Sequence, residues 1–362
     1  MTSSGDIRTF VGTQFYRRWL YICGEKQRVT TRPLAVGLVG AGAISTHHLA
    51  GWAERNDAKV VAICEPEPQR AKERAAQFGI AKTYASLDEM LDAEQLDVID
   101  ILTPRETHVA LIEKVEKRGL PVICQKPLAP TLAEATDIAE RVRDQTRLMV
   151  HENWRFRPYY RRLKQLLTDG VLGRALHIDI AFYRGGLNTT NGVVAPGLAR
   201  QPFMATEPRL LVAESLIHHI DVARWLVGPL KLSASHLKRT SDLVVGEDSA
   251  VLVFTGASGE TVSIRGSMHA AGHDFRADDE FSVAGTKSSA RYQNGRLDVS
   301  GETTSSETFD YQACYQGSFS AVIAHFCEQL KSGAPFETAP EDHLQTLALV
   351  EEIYARSGIS AG

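Results

Sequence analysis

The uninterrupted apolar run Leu34 to Val39 opens directly into Gly40-Ala41-Gly42-Ala43-Ile44-Ser45, and helical spacing follows to about Arg55. An apolar run without polar alternation belongs to a strand buried on both faces. Such a strand requires a parallel sheet with helices over both sides, so this short stretch restricts the chain to an α/β architecture. Further strands are predicted at Lys59 to Cys64, near Thr83-Tyr84, and at Val98 to Leu102, Pro121 to Cys124 and Leu148 to His151. Helices are predicted between them, at Glu67 to Phe78, Leu87 to Leu91, Val109 to Arg118 and Leu132 to Asp144. Strand and helix in alternation, with right-handed crossovers, build a doubly wound sheet.

After Trp154 the pattern changes to longer β-type segments, Ala175 to Tyr183, Ser249 to Thr255, Thr261 to His269 and Glu280 to Ala284, separated by turns such as Ala257-Ser258-Gly259-Glu260. Three helices accompany them, Val212 to Leu226, Ser318 to Lys331 and Glu341 to Arg356. The second half therefore reads as α+β with a mainly antiparallel sheet. A chain of 362 residues, at about 150 residues per domain, accommodates two domains. They are placed at 34–154 and 155–362, behind a flexible basic extension, 1–33. In that extension Arg17-Arg18 precedes Trp19-Leu20, the outline of a twin-arginine signal, but the apolar stretch Trp19 to Cys23 is too short for its hydrophobic region.

Charge narrows the partners. Forty lysines and arginines against 44 acidic residues leave a net charge of -4, which provides no drive toward nucleic acid or an anionic membrane. No apolar stretch approaches the roughly 18 residues of a membrane span. Cys23, Cys64, Cys124, Cys314 and Cys327 are odd in number and form no C-x-x-C pair, so neither a disulfide framework nor a zinc ribbon is expected, as suits a reducing cytoplasm. The partners expected are small molecules and further copies of the chain.

Three motifs carry chemistry. In the loop Gly40 to Ser45, absent side chains at Gly40 and Gly42 let the backbone approach a pyrophosphate, and the helix opening at Ala43-Ile44 aims its free N–H groups at the charge. G-x-G-x-x-S alone is weak, because glycine turns without ligands are common. Its context is stronger: Glu65 ends the second strand, where a carboxylate accepts the ribose hydroxyls of a dinucleotide and repels a 2′-phosphate. NAD is therefore expected over NADP. Against this, Glu65 also fits an ordinary solvated strand end, and Arg70, one helical turn later, can reach a phosphate.

The second motif is Gln125-Lys126-Pro127, at the carboxyl edge of the sheet where doubly wound folds bind ligands. The third is the helix carrying Glu214, His218 and Asp221. Spacings of four and three put these on one face, so that a carboxylate can orient an imidazole for proton transfer, while His219 lies about 100° round. The same face fits a salt-bridged helix. No metal is expected, because neither H-E-x-x-H nor a cysteine pair supplies the remaining ligands.

Taken in order, Gly40-Ala41-Gly42, Glu65 with Arg70, Thr103-Pro104 with His108, Gln125-Lys126-Pro127, and Glu214 through His218 to Asp221 and Trp225 resemble the glucose-fructose oxidoreductase, inositol dehydrogenase and MocA family from about residue 34 onward. The resemblance implies an N-terminal Rossmann domain and a C-terminal α+β domain whose open-faced sheet mediates dimerisation, in a homodimer or homotetramer. It also implies NAD(P)-dependent oxidation or reduction of sugars and polyols, with Thr103, Pro104, His108 and Gln125 beside the cofactor. Two departures stand out: Gln125 where the family usually has Glu, and Glu214 where many members have Asp.

The function expected is oxidation of a sugar or polyol hydroxyl by NAD. His218 serves as base, Lys126 stabilises the oxygen and Glu214 orients His218 or holds a neighbouring hydroxyl. Asn153, Trp154, Arg155, Tyr183 and Arg184 are candidate substrate contacts, although Trp154 and Phe156 equally suit a seal between the domains. The segment His151 to Phe156, with Gln125-Lys126-Pro127, is similar to members acting on aldopentoses such as apiose. A non-catalytic NAD-sensing regulator of the same fold is the alternative, and retention of both Lys126 and His218 counts against it.

Overall fold

The structure, a computed structural model, describes residues 32–190, 192–276 and 278–358. The extension up to residue 31 lies outside the described residues. Arg32, assigned by sequence to a flexible segment, is held in place: its guanidinium donates to both oxygens of Asp97 at 2.7 and 3.0 Å.

The first half runs β1 (Leu34–Val39), α1 (Ser45–Ala53), β2 (Ala58–Cys64), α2 (Pro68–Phe78), β3 (Lys82–Tyr84), α3 (Leu87–Ala93), β4 (Val98–Ile101), α4 (His108–Glu116), β5 (Val122–Gln125), α5 (Leu132–Val142) and β6 (Leu148–His151). Its strands pair in parallel in the order β3-β2-β1-β4-β5-β6. Chain order reverses between β1 and β4, and the crevice outside their carboxyl ends is where such sheets bind ligands. The β1 side chains explain its position: Val36 and Leu38 pack with Leu49 and Trp52 of α1, while Val39 packs with Ile101 and Ile112 in the larger core. Local chemistry sets the helix starts. Glu67 caps α2 by accepting from the amides of Gln69 and Arg70 ahead of Pro68, and Thr131 with Glu134 forms a capping box on α5.

The second half begins with α6 (Pro158–Thr168) and β7 (Ala175–Tyr183). A small hairpin, β8 (Thr189–Thr190) with β9 (Val193–Val194), and the short α7 (Pro196–Arg200) follow. A π-helical turn, Val212–Leu216, leads into α8 (Ile217–Val227). Then come β10 (Leu230–Lys238), β11 (Ser249–Gly256), β12 (Thr261–Ser267), β13 (Glu280–Gly285), β14 (Ser288–Gln293), β15 (Arg296–Gly301), β16 (Ser305–Thr308), α9 (Tyr311–Ser332) and α10 (Pro340–Ser357). The sheet order is β10-β11-β12-β7-β13-β14-β15-β16, antiparallel except where β7 lies parallel to β12. Val262 and Ile264 of β12 are buried while Thr261 and Arg265 of the same strand are exposed, so the sheet has one covered face and one open face.

Several elements escaped the sequence reading. Strands β10 and β14 to β16 are rich in Ser, Thr, Arg and Lys, so their hydrophobic alternation is weak. Helix α9 starts seven residues before the predicted Ser318, because Gly317 masks its helical pattern.

The two halves share a core. Val322, Ile323, Phe326 and Cys327 of α9 pack with Val36, Leu38, Leu49 and Trp52 of the first half. Gly51 lets α9 approach, since a Cβ there would stand 2.8 Å from Ile323 Cδ1 and 3.3 Å from the Ser320 backbone. Farther along, Thr338 returns to the edge strand, its carbonyl accepting from Val150 N and its hydroxyl donating to Val150 O. The parallel sheet thus ends at His151 and the large sheet begins at Ala175, while the long helix α9 packs back onto the parallel sheet.

Candidate active site

The glycine loop crosses the carboxyl end of β1, and its two glycines are required for different reasons. Gly40 has φ +100°, and a Cβ there would meet the Leu102 backbone at 3.1 Å. Internal geometry alone demands glycine at that point. Gly42 has nothing within 4 Å of where a Cβ would stand. Nothing among the described residues requires glycine at 42, and the space over it is open to a group lying across the loop. Helix α1 then opens without a side-chain cap or an acidic residue in its first turn, leaving its N–H groups and positive end for an anion. Glu65, at the end of β2, accepts from Ala41 N at 2.8 Å and Glu67 N at 3.2 Å, with Arg70 Nη1 at 3.4 Å. The carboxylate is therefore fixed at the lip of the loop and keeps lone pairs for ribose hydroxyls. These residues fit a bound NAD.

His108 lies beneath the cleft. It is buried, with Nε2 2.8 Å from Thr103 O and Nδ1 3.0 Å from Pro127 O, so it ties the β4 loop to the β5 loop instead of reaching a ligand. Burial lowers its basicity. Gln125 serves similarly. Its Oε1 accepts from Lys126 N at 2.8 Å while Nε2 faces His48 Nε2 at 3.2 Å, and His48 Nδ1 lies 2.9 Å from the buried Asp100.

Lys126 projects from the β5 loop toward the π-helical turn, where Nζ donates to Glu214 O at 2.8 Å and lies 3.6 Å from Glu214 Oε2. The other Glu214 oxygen accepts from Arg105 Nη1 at 2.5 Å, and Arg105 Nη2 donates to Glu207 at 2.7 Å. This overturns one expectation: Glu214 does not touch His218. Its carboxylate, on the π-helical turn Val212–Leu216, is held by Arg105 and Lys126 instead. The turn is held from outside by the buried Glu247, which accepts from Leu210 N and Val212 N and from the Tyr354 hydroxyl.

The carboxylate partner of His218 is Glu152, the residue after β6. His218 Nδ1 lies 2.6 Å from Glu152 Oε1, and Nε2 has no hydrogen-bond partner among the described residues. The imidazole stacks on Trp154, with centroids 4.0 Å apart and planes 9° from parallel. Arg157 covers the opposite face of the indole at 3.7 Å, and Trp154 Nε1 donates to Asp279 at 2.9 Å. Burial, and then the nearby Lys126 ammonium, holds the His218 imidazolium well below its usual range, so the ring is neutral at pH 7. Burial also pushes the Glu152 carboxyl up to about 7. A neutral imidazole that donates Nδ1–H to a carboxylate presents the Nε2 lone pair as a base.

Other expected contacts move into the scaffold. Arg155 is 2% exposed and pairs with Asp221 and Asp342, so neither Arg155 nor Asp221 faces a ligand or His218. Arg184 is buried against Asp279, and Asn153 donates to Ser318 Oγ at 2.8 Å. Tyr183 is partly exposed and packs on His273, and it remains a candidate contact. Phe156 seals the junction, whereas Trp154 supports His218. Sequence reasoning passed over Glu152 as a functional residue, although an acidic residue directly after a buried strand at the ligand edge was the signal. No group of three or more potential metal ligands occurs among the described residues.

Fold and site together define a two-domain NAD-binding oxidoreductase. The model of an oxidoreductase family with an NAD-binding Rossmann fold matches residues 34–153, and that of the GFO/IDH/MocA C-terminal domain matches residues 160–291. The chain belongs to the glucose-fructose oxidoreductase, inositol dehydrogenase and MocA family. It is 31% identical over 345 residues to a D-apiose dehydrogenase of Paraburkholderia graminis, covering 91% of this chain and 89% of the relative. It is 29% identical over 242 residues to inositol 2-dehydrogenase 4 of Saccharopolyspora erythraea, covering 65% and 67% of the two chains. An oxidoreductase from Agrobacterium radiobacter, solved in complex with NAD+, L-tartaric acid and magnesium, superposes with a TM-score of 0.83 at 27% identity, over 90% of this chain and 96% of that one.

Proposed function

We propose that the chain oxidises a hydroxyl of an aldopentose of the apiose type, or of a related polyol, with NAD as hydride acceptor. The observation that carries this is His218, tied through Nδ1 to Glu152 at 2.6 Å and with Nε2 unpartnered among the described residues, within electrostatic reach of the Lys126 ammonium. Bound NAD supplies the two-electron acceptor. The chain's own groups handle the proton and the oxygen. His218 Nε2 removes the hydroxyl proton, and Lys126 donates a hydrogen bond to the same oxygen as its charge grows. Glu214, braced by Arg105, holds Lys126 and offers an acceptor to a neighbouring hydroxyl, with Tyr183 as a further contact. Glu65 selects NAD over NADP. The described residues include no helix long and apolar enough to cross a membrane. We place the enzyme in the cytoplasm as a homodimer or homotetramer formed through the open face of the large sheet.

Purified protein is incubated with NAD and a panel of pentoses, including apiose, and inositols, and the absorbance of reduced nicotinamide is followed. Turnover with an aldopentose is the expected result. If no sugar or polyol reduces NAD, the reading is wrong. Neither the site nor the named relatives favour an NAD-sensing regulator.

A further inference from the structure

We propose that Glu152 is the resting place of the substrate proton: as His218 takes the hydroxyl proton at Nε2, it releases its Nδ1 proton to Glu152 Oε1, so the imidazole is neutral before and after turnover. The proposal rests on the dehydrogenase reading above. In the balanced step, the substrate O–H and C–H bonds break and a carbonyl forms. The hydride and its electron pair go to NAD+, one proton arrives at Nε2 and another leaves Nδ1 for the carboxylate. After product departs, Nε2 yields its proton to solvent and Nδ1 recovers its own from Glu152.

The surroundings of Glu152 favour this transfer. The side chain is 1% exposed; among the described residues its Oε2 is buried without a hydrogen-bond partner, and its Oε1 receives only His218 Nδ1 and Trp154 N at 3.1 Å. Among the described residues its one ion-pair partner is His218. A buried carboxylate with an oxygen lacking any donor is a costly arrangement, and protonation relieves it. In the serine-protease triad the carboxylate orients the imidazole without being protonated. Here burial, more than any charge, disfavours a positive His218. Lys126 from the β5 loop and His219 from α8 add to it, as does Arg157 on the far side of Trp154, while Asp279 opposes them. Lys126, Arg155 and His219 stabilise an ionised Glu152 without offsetting its burial, and Asp221 of α8 opposes that ionisation.

Two measurements on the full chain test this. The first is the pH dependence of kcat/KM. If Glu152 must be ionised, wild-type activity rises with pH to a plateau with a midpoint near 7. Glu152→Gln then loses about 10²- to 10⁴-fold, the usual span of acid–base contributions, and its residual activity is flat with pH. Glu152→Asp keeps a pH-dependent step. The second is infrared spectroscopy of the protein without cofactor or substrate. The wild-type minus Glu152→Gln difference should show a protonated-carboxyl C=O band that disappears as pH rises through about 7. Absence of that band at pH 5, or a Glu152→Gln profile with the wild-type midpoint, overturns the proposal. The infrared result decides the ionisation of Glu152 even if no sugar is oxidised, an outcome that would instead defeat the dehydrogenase reading.

Discussion

The proposed mechanism divides two adjacent histidines on α8 between chemistry and packing. If His218 takes the proton and Lys126 stabilises the oxygen, both act most strongly in the transition state, and His218→Ala and Lys126→Ala should each lower kcat by about 10²- to 10⁴-fold, with NAD affinity little changed. His219 is wholly buried, with Nε2 3.2 Å from Asp279 Oδ1. His219→Ala should therefore lower the melting temperature and spare the chemical step; loss of turnover in a folded, NAD-binding His219→Ala would contradict this. At the other end of the site, Glu65→Ala should narrow the kcat/KM preference for NAD over NADP, and an unchanged ratio would remove Glu65 from cofactor selection. Glu152 also has a stability signature. Its carboxyl is raised from 4.5 to about 7. Between those values the folded chain binds the extra proton, so this contribution is complete below about 4.5 and is lost as pH rises through about 7. Glu152→Gln carries no such proton, and its melting temperature relative to wild type should climb between pH 5 and pH 8. The depressed His218 acts in the opposite sense at low pH, and the comparison between the two proteins largely removes it.

At the scale of the element, the β1-loop-α1 unit separates folding requirements from binding requirements within three residues. Gly40→Ala forces a Cβ into a left-handed conformation against Leu102, at a cost of about 1–3 kcal/mol, measurable by denaturant unfolding. Gly42→Ala meets no atom of the described residues and should fold with near-normal stability while weakening NAD binding in calorimetric titration. Equal stability losses for the two variants would show that Gly42 is also structural. The π-helical turn also bears on the site: its Glu214 is held by Lys126 and Arg105, and His218 pairs with a different carboxylate, Glu152.

For the whole molecule, the consequence of α9 packing against β1 and α1 is mechanical unity. Phe326 is fully buried in that shared core, stacked on Phe336 and edge-on to Trp52. Phe326→Ala should cost about 3–5 kcal/mol. Both halves should lose stability together, in one transition by calorimetry and circular dichroism. Separate melting of the two halves would show that the interface contributes little. The same packing holds the Rossmann cleft and the helix carrying His218 in a fixed relation, because α10 contacts both α5 and α8.

The periodicity of the chain was sufficient for the doubly wound sheet, the glycine loop and the antiparallel second half. These depend on local patterns: apolar runs, turn residues and the fixed offsets of strand and helix. Partner choice among the charged residues was not legible. Glu152 reaches His218 across 66 residues, Arg155 meets Asp221 across the same separation, and Arg105 finds Glu214 across 109. No local period encodes such distances. Desolvation decides them, since each charge carried into the interior is stable only where packing brings an opposite or hydrogen-bonding group against it. Glu214 shows this at its smallest: the spacing in sequence put it beside His218, and the tertiary structure put Glu152 there instead.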